Sequence, residues 1–187
     1  GVSFQNASVA LGVTEFGRPE DSAWNPSNPN ELVWVNTGAT VSGVAVPTRI
    51  YKATFTDIAN PELGGNVTML GQGNNWSTFA GGVSFSTPGT TTANSFDNIA
   101  ISRFNQVLIQ EDVGNNVRLG RLWLYDMTAD SMVEIGISDS SRFLTGAPGF
   151  LTEDEETSGI VDAWDILGPG WWMLNMQAHY GISGELV

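Results

Sequence analysis

The chain has 187 residues, 41% hydrophobic and 14% charged, which is apolar enough to build a core and excludes a disordered segment. Seven lysines and arginines stand against 20 aspartates and glutamates, and the formal charge of −13 excludes nucleic-acid binding through a basic face. The absence of cysteine removes disulfides, thiolate metal sites and cysteine nucleophiles together, no apolar run reaches the roughly 18 residues of a membrane span, and the N-terminus has no charged region ahead of an apolar one.

Residues 1–16 read as polar and weakly amphipathic. The stretch Gly17-Arg18-Pro19-Glu20-Asp21-Ser22-Ala23-Trp24 then sets a planar cation and two hard carboxylates around a rigid proline at the mouth of a strand. Such a pattern serves either a phosphate or cation site or a solvated surface turn. From there short β-type runs alternate with turn punctuation. Strands are expected at 22–24, at 31–37 after the Asn25-Pro26-Ser27-Asn28-Pro29-Asn30 turn, at 49–55 after a linker over 38–47, and at 67–70 after the Asn60-Pro61 and Gly64-Gly65 breakers. The glycosylation patterns at Asn6, Asn66 and Asn75 are common by chance and carry no argument.

The same order then returns. Strands are expected at 95–101, 106–112, 121–126 and 132–135, with Arg121-Leu122-Trp123 standing 72 residues after Arg49-Ile50-Tyr51. A third start at Glu156-Thr157-Ser158-Gly159 leads to a strand over 170–177, and single helical turns are expected within 127–131, 138–143 and 162–167. The expected fold is all-β, one unit over residues 1–187, with blade-like repeats at about 18–75, 95–138 and 155–180. Two and a half blades of a β-propeller leave open edges, so a partner is expected, either a missing N-terminal half or identical copies. A β-sandwich is the other architecture that strands at this spacing allow.

Glu20, Asp21, Asp97 and Glu156 stand at the start of the first strand of a unit, and Glu111 and Asp112 end a second strand. In a propeller these positions meet at one end of the channel, where like charges raise one another's pKa unless a cation neutralises them. An oxygen-only cluster suits Ca²⁺, with Fe³⁺ or Mn²⁺ also possible. Within Glu153-Asp154-Glu155-Glu156 a solvated acidic loop is the commoner explanation, and the last members alone are candidates.

Phe16-Gly17-Arg18-Pro19-Glu20-Asp21-Ser22-Ala23-Trp24-Asn25-Pro26, Phe96-Asp97-Asn98, Gln110-Glu111-Asp112-Val113-Gly114-Asn115, Glu155-Glu156-Thr157-Ser158-Gly159 and Gln177-Ala178-His179-Tyr180 occur in this order along nearly the whole chain. Taken together they resemble the C-terminal half of PhoX-type alkaline phosphatases. The resemblance implies a six-bladed propeller, a periplasmic or extracellular location, and metal-dependent hydrolysis of phosphate monoesters with Ca²⁺ and Fe³⁺. It implies Arg18 as the phosphate-binding catalytic residue, Glu20 as a metal ligand, and Asp97, Asn98, Glu111, Asp112 and Glu156 as candidate cation ligands. His179 has a matching position but is the kind of strand-end histidine that is more often structural.

The family also draws ligands, a cysteine among them, from an N-terminal half that this sequence lacks, while Gly184-Glu185-Leu186-Val187 resembles the approach to the family's C-terminus. The chain alone is therefore expected to be an incomplete phosphatase. The alternative is a non-catalytic, Ca²⁺-stabilised extracellular assembly or surface-layer subunit that uses its open edges for strand addition. A serine or histidine hydrolase triad has no support, since the single histidine has no nucleophile motif near it.

Overall fold

The computed structural model describes residues 3–41, 44–73, 83–84, 93–114 and 117–180, and strands dominate among them. Asn75-Trp76-Ser77, Asn115 and residues 184–187 lie outside the described residues. Helix α1 (Phe4–Ala10) begins where the Ser3 hydroxyl accepts the Asn6 N–H at 3.2 Å, an N-cap within the stretch read as polar and weakly amphipathic. Strands β1 (Pro19–Trp24) and β2 (Glu31–Asn36) are joined by a turn in which the Asn25 side chain accepts the Ser27 N–H at 2.9 Å. The expected linker over 38–47 holds a small hairpin instead, β3 (Ala39–Val41) and β4 (Val44–Val46). Then come β5 (Arg49–Phe55), β6 (Gly65–Gln72) and the two-residue β7 (Val83–Ser84), giving a sheet ordered β1-β2-β5-β6-β7 in which only β7 is parallel to its neighbour.

The second sheet repeats the antiparallel four as β8 (Phe96–Ile101), β9 (Gln106–Glu111), β10 (Arg121–Asp126) and β11 (Ser131–Ile137). After the single turn α2 (Ser140–Phe143), a third sheet pairs β12 (Glu155–Asp162) with β13 (Trp172–Ala178) around the turn α3 (Trp164–Leu167). No helical turn forms over 127–131. The Asp126 carboxylate takes the Thr128 and Ala129 N–H groups at 2.8 and 2.9 Å, and Asp130 adopts φ +50°, which closes a tight β-turn. The 72-residue offset extends below the level of strands. β5 slips register against β6 between Ile50 and Tyr51, and β10 slips against β11 between Leu122 and Trp123, the same two positions one repeat later.

The second sheet lies between the other two. In β9 every residue from Val107 to Glu111 is buried, so neither face meets water, and side chains alternate between two neighbours. Val107 and Ile109 join Phe96, Ile99, Ile101, Trp123 and Tyr125 in one core with Val33, Val35 and Ile50 of the first sheet. Leu108 and Gln110 face the other way, toward β12, which packs on β8 and β9. The outer face of the first sheet is closed by rings: Trp34 and Tyr51, a cross-strand pair, stack with centroids 5.2 Å apart, and Phe16 meets both edge-on at 5.4 and 5.2 Å.

Between the first two sheets Thr48 acts as a buried relay. Its hydroxyl donates to the Asn36 carbonyl at 2.8 Å and accepts the Phe96 N–H at 2.8 Å. At the far ends of the first strands, Asn25 Nδ2 donates to Asn105 Oδ1 at 2.9 Å and Ser27 Oγ donates to the Arg103 carbonyl at 2.5 Å. The Arg103 guanidinium lies 4.9 Å from the Trp164 ring centroid and 2.9 Å from Asp165, and Phe104 packs on Trp164. These contacts bind all three sheets at one end. Among the described residues no helix is long and apolar enough to cross a membrane.

Trp123 is fully buried in the shared core and its Nε1 donates to Glu111 at 2.9 Å. Trp123→Ala is expected to cost about 3–5 kcal/mol in urea unfolding. Trp123→Phe, which keeps a ring but strips a donor from a buried carboxylate, is expected to cost about 1–3 kcal/mol. A loss below that range for both would show that the two sheets do not share one core.

Candidate metal centre

The first strand of each sheet is irregular close to where its acids stand. Pro19 pairs with Asn36 and Ser22 with Trp34, so Glu20 and Asp21 oppose the single residue Val35. Phe96 pairs with Glu111 and Ile99 with Ile109, so Asp97 and Asn98 oppose Gln110 alone. In β12 the extra residue is Gly159, at φ +59°, between the Ser158 and Ile160 pairings. Two residues against one form a β-bulge, which bends the strand and re-aims its side chains. The residue ahead of the bulged strand is left-handed in both of the first two sheets, Arg18 at φ +54° and Ser95 at φ +47°, a strain on the order of 1–3 kcal/mol each.

Because β1 and β12 both pack on β8, these bulged ends come together. Glu156 closes the group through an isolated antiparallel bridge to Asp112. Burial pushes the Asp97 carboxyl up to about 6, helped by the negative charges of Glu20, Asp112 and Asp21 and opposed by Arg18. Glu156 is likewise raised, by burial first and then by Asp112 and Asp97, against His179. Arg18, Glu20, Asp21, Asp97, Asp112 and Glu156 thus form one electrostatic group drawn from three sheets.

Within it the roles differ. Glu20 Oε1 receives Arg18 Nη2 at 3.0 Å and the Thr37 hydroxyl at 3.0 Å, while the Arg18 side chain remains 59% exposed, open to an anion. Asp21 is a structural link: one oxygen accepts the Ser22 N–H at 2.7 Å and the other reaches across sheets to the Ile99 N–H at 3.0 Å. Asn98 donates to Asp97 Oδ2 at 2.5 Å, which orients that carboxylate, and Asp112 Oδ1 holds the Gly114 N–H at 2.8 Å.

Glu111 is not brought to this group. It is fully buried on the opposite side of β9 from Gln110, held by Arg118 Nη2 at 2.8 and 2.9 Å, by Trp123 Nε1 and by the Asn94 N–H at 2.7 Å. With Arg118 Nε at 3.2 Å as a fourth donor, the carboxylate is saturated inside the sheet and has no lone pair aimed at the acidic end. At the rim, His179 Nδ1 bonds Asp154 at 2.9 Å, and that bond raises the imidazole pKa. Nothing in the sequence marked Asp154 as its partner, 25 residues away, except the acidic run in which it stands. The chemistry of the donor set, hard carboxylate oxygens short of counter-charge, suits Ca²⁺ or Fe³⁺, and Glu20, Asp97, Asp112 and Glu156 are the residues that could each contribute a ligand. Their spacing is open: among the described residues no three acidic or histidine side chains stand close enough to hold a single ion. No protein-family model matches the chain, and no curated protein matches it.

The raised Asp97 pKa gives a signed prediction. A carboxyl that titrates near 6 when folded and at 3.8 by its ordinary value holds its proton more tightly in the folded state, so its contribution is lost as pH rises from about 4 to 6. In chelator, Asp97→Asn is expected to raise the thermal midpoint at about pH 7.5. The gain is about 1 kcal/mol after discounting for solvent screening, or about 2–4 °C, and it vanishes near pH 4. An equal change at both pH values would mean that Asp97 does not sit among repelling charges.

Proposed function

We propose that these residues form part of the metal centre of a PhoX-type alkaline phosphatase, a metal-dependent phosphomonoester hydrolase whose stacked sheets are propeller blades. The observation that supports the reading is the convergence of Arg18, Glu20, Asp97, Asp112 and Glu156 from the bulged ends of three sheets. It gathers into one place motifs that are far apart in the chain and that resemble this family in their order. Glu20, Asp97, Asp112 and Glu156 would contribute ligands to Ca²⁺ and Fe³⁺ that the resemblance completes with others, with Asn98 orienting Asp97. Bound there, such ions supply charge neutralisation and activation of a water-derived nucleophile.

Arg18 does the work that falls to this chain alone. Its guanidinium is a planar fork held at one nitrogen by Glu20, so its other donors meet two phosphoryl oxygens and offset the charge that grows on them in the transition state. Left-handed strain at Arg18 and the rigid ring of Pro19 fix the direction in which the side chain leaves the backbone. The remaining ligands that the resemblance implies lie outside these 187 residues, so the chain alone hydrolyses phosphate monoesters slowly. A periplasmic or extracellular location belongs to the same reading, as what the resemblance implies.

A second reading, a non-catalytic Ca²⁺-stabilised assembly subunit, is favoured by β13. Its seven residues carry no charge, its Met173, Leu174 and Met176 are exposed, and among the described residues its sheet has two strands.

Calorimetry with and without chelator, run beside a chromogenic phosphomonoester assay, separates the two. Free Ca²⁺ at about 100 times its Kd is expected to stabilise the fold by about 2.7 kcal/mol, or about 5–10 °C, and Glu20→Gln with Asp97→Asn to blunt the rise. Weak phosphate binding that disappears in Arg18→Ala supports the phosphatase. Ca²⁺ stabilisation with no phosphate binding favours the assembly subunit, and indifference to Ca²⁺ overturns both.

A further inference from the structure

The stack of three sheets ends in an apolar face on both sides, and register fixes which side chains lie there. In the first sheet Val33, Val35 and Ile50 point into the shared core, so the alternate positions point away: Trp24 opposite Leu32, Trp34 opposite Tyr51, and Val67 and Met69 on β6. The Phe16, Trp34 and Tyr51 rings fill the middle of this face, while Trp24 and Val67 stay 49% and 60% exposed. A groove of about 650 Å³ opens beside them, lined in part by Phe16, Tyr51, Val67 and Met69. In the third sheet Glu155 and Thr157 are buried against the second, so Glu156 faces away, and with it Val161 and Met173 beyond the bulge. Those two and Trp171, just ahead of β13, are each more than half exposed. Among the described residues that pair on these two faces, each face has one charge, Arg49 on the first and Glu156 on the third. Both stand at the acidic end, since β5 runs parallel to β1 and starts at Arg49, and Glu156 is near the start of β12.

We infer that a second copy of this chain covers both faces, head to tail, so that two chains close a ring of stacked sheets. The inference rests on the propeller part of the reading above and not on the phosphatase chemistry. Within the chain β1 packs on β8 and β8 on β12; the same step taken once more sets β12 beside the β1 of a second chain. Propellers close with roughly 4–8 sheets. One chain with three stacked sheets falls short of that range and three chains exceed it, so two is the number that closes. Head-to-tail contact lays one apolar face on the other and puts Arg49 and Glu156, of opposite sign, at the same end of the new seam. Pairing two first sheets face to face would instead oppose each Arg49 to its own copy and leave both third sheets uncovered. The acidic group gains ligands from the closure. Within one chain no three acidic or histidine side chains among the described residues stand close enough to hold an ion, and the new seam brings Arg18 and Glu20 of the second copy up to Glu156, as the existing one brings Asp97.

Size exclusion with multi-angle light scattering on the 187-residue chain tests this. The mass is expected to rise with concentration to a plateau at twice 20.0 kDa. Val67→Glu on the first face and Met173→Glu on the third replace exposed side chains, so each variant keeps the wild-type far-UV spectrum. Each is expected to raise the dimer dissociation constant about tenfold or more, because its carboxylate is trapped in an apolar seam. Mixing the two variants distinguishes the geometry. One seam of the mixed pair then joins an unaltered first face to an unaltered third face, so a heterodimer should form at concentrations where neither variant dimerises alone. A monomer at every concentration, as expected if another segment of a longer polypeptide fills these faces, overturns the inference. So does an open series of larger masses, a dimer indifferent to both substitutions, or no recovery on mixing. A dimer that binds neither Ca²⁺ nor phosphate supports the ring and removes the metal centre alone, whereas a monomer that binds both removes the ring alone.

Discussion

Burial of β9 from both sides decides how the other elements must lie, because a strand with no solvent face needs a separate partner for each set of alternating side chains. Val107 and Ile109 take the first sheet as partner, and Leu108 and Gln110 take the third. The two contacts differ in kind. Toward the first sheet the seam is a continuous apolar core sealed by Trp123, Phe96 and Ile50. Toward the third it carries Gln110, Glu155, Thr157 and Ser138, and its apolar contribution comes from residues such as Leu108, Phe143 and Ala163. Since apolar burial gives about 25 cal/mol per Å² and unpaired polar groups subtract from it, the third sheet is held the less firmly of the two.

The ends of the first strands divide attraction from repulsion. At the C-terminal ends of β1, β8 and β12 the turns interlock through Asn25 and Asn105, Ser27 and Arg103, and Arg103 with Trp164 and Asp165. At the N-terminal ends the same three strands force Glu20, Asp97 and Glu156 toward one another, and burial keeps water from screening them fully. Sheet stacking makes that repulsion unavoidable, because the strands that share a core cannot splay at one end alone. The bulges and the left-handed residues Arg18 and Ser95 concentrate local strain at the same end. A cluster of unfavourable features that a fold retains in one place is the ordinary mark of a site rather than of a surface turn.

Much of this was legible in the sequence because its signals are local. Period-two alternation and Asn/Pro/Gly punctuation marked nearly every long strand, and the limits of Arg49–Phe55 and Arg121–Asp126 coincide with the expected ones. The helical turns at Ser140–Phe143 and Trp164–Leu167 fall inside the ranges 138–143 and 162–167 expected for single turns. What was hidden depends on register and on distant partners. The hairpin of β3 and β4 has only three residues on each side, too few to show a period. The bulges have no residue signature except Gly159, so the sequence could not say that Glu20 and Asp97 leave their strands in a common direction. Nor could it tell Glu111 from Asp112, which are adjacent acids at a strand end.

That last pair shows how a strand sorts its charges. Alternation sends Glu111 into the core and leaves Asp112 at the rim, so one residue of register makes the first a structural ion pair and the second a member of the acidic group. The same rule splits Glu155 from Glu156 one sheet later, the first buried at the seam and the second facing Asp112. The two inward carboxylates are then solved differently. Glu111 is met by a bidentate arginine, an indole N–H and a backbone N–H, a set that offsets the cost of burying its charge. Glu155 has the Gly120 N–H and the Ser138 hydroxyl beside it and, among the described residues, no arginine. Arg118 sits in the loop between β9 and β10 and serves Glu111; no basic residue occupies the 144–180 stretch from which a counterpart for Glu155 would have to come except His179, which is tied to Asp154. In a chain with 7 basic and 20 acidic residues, arginines run out before carboxylates do, and burial then raises the pKa of the Glu155 carboxyl, which favours its neutral form inside the fold.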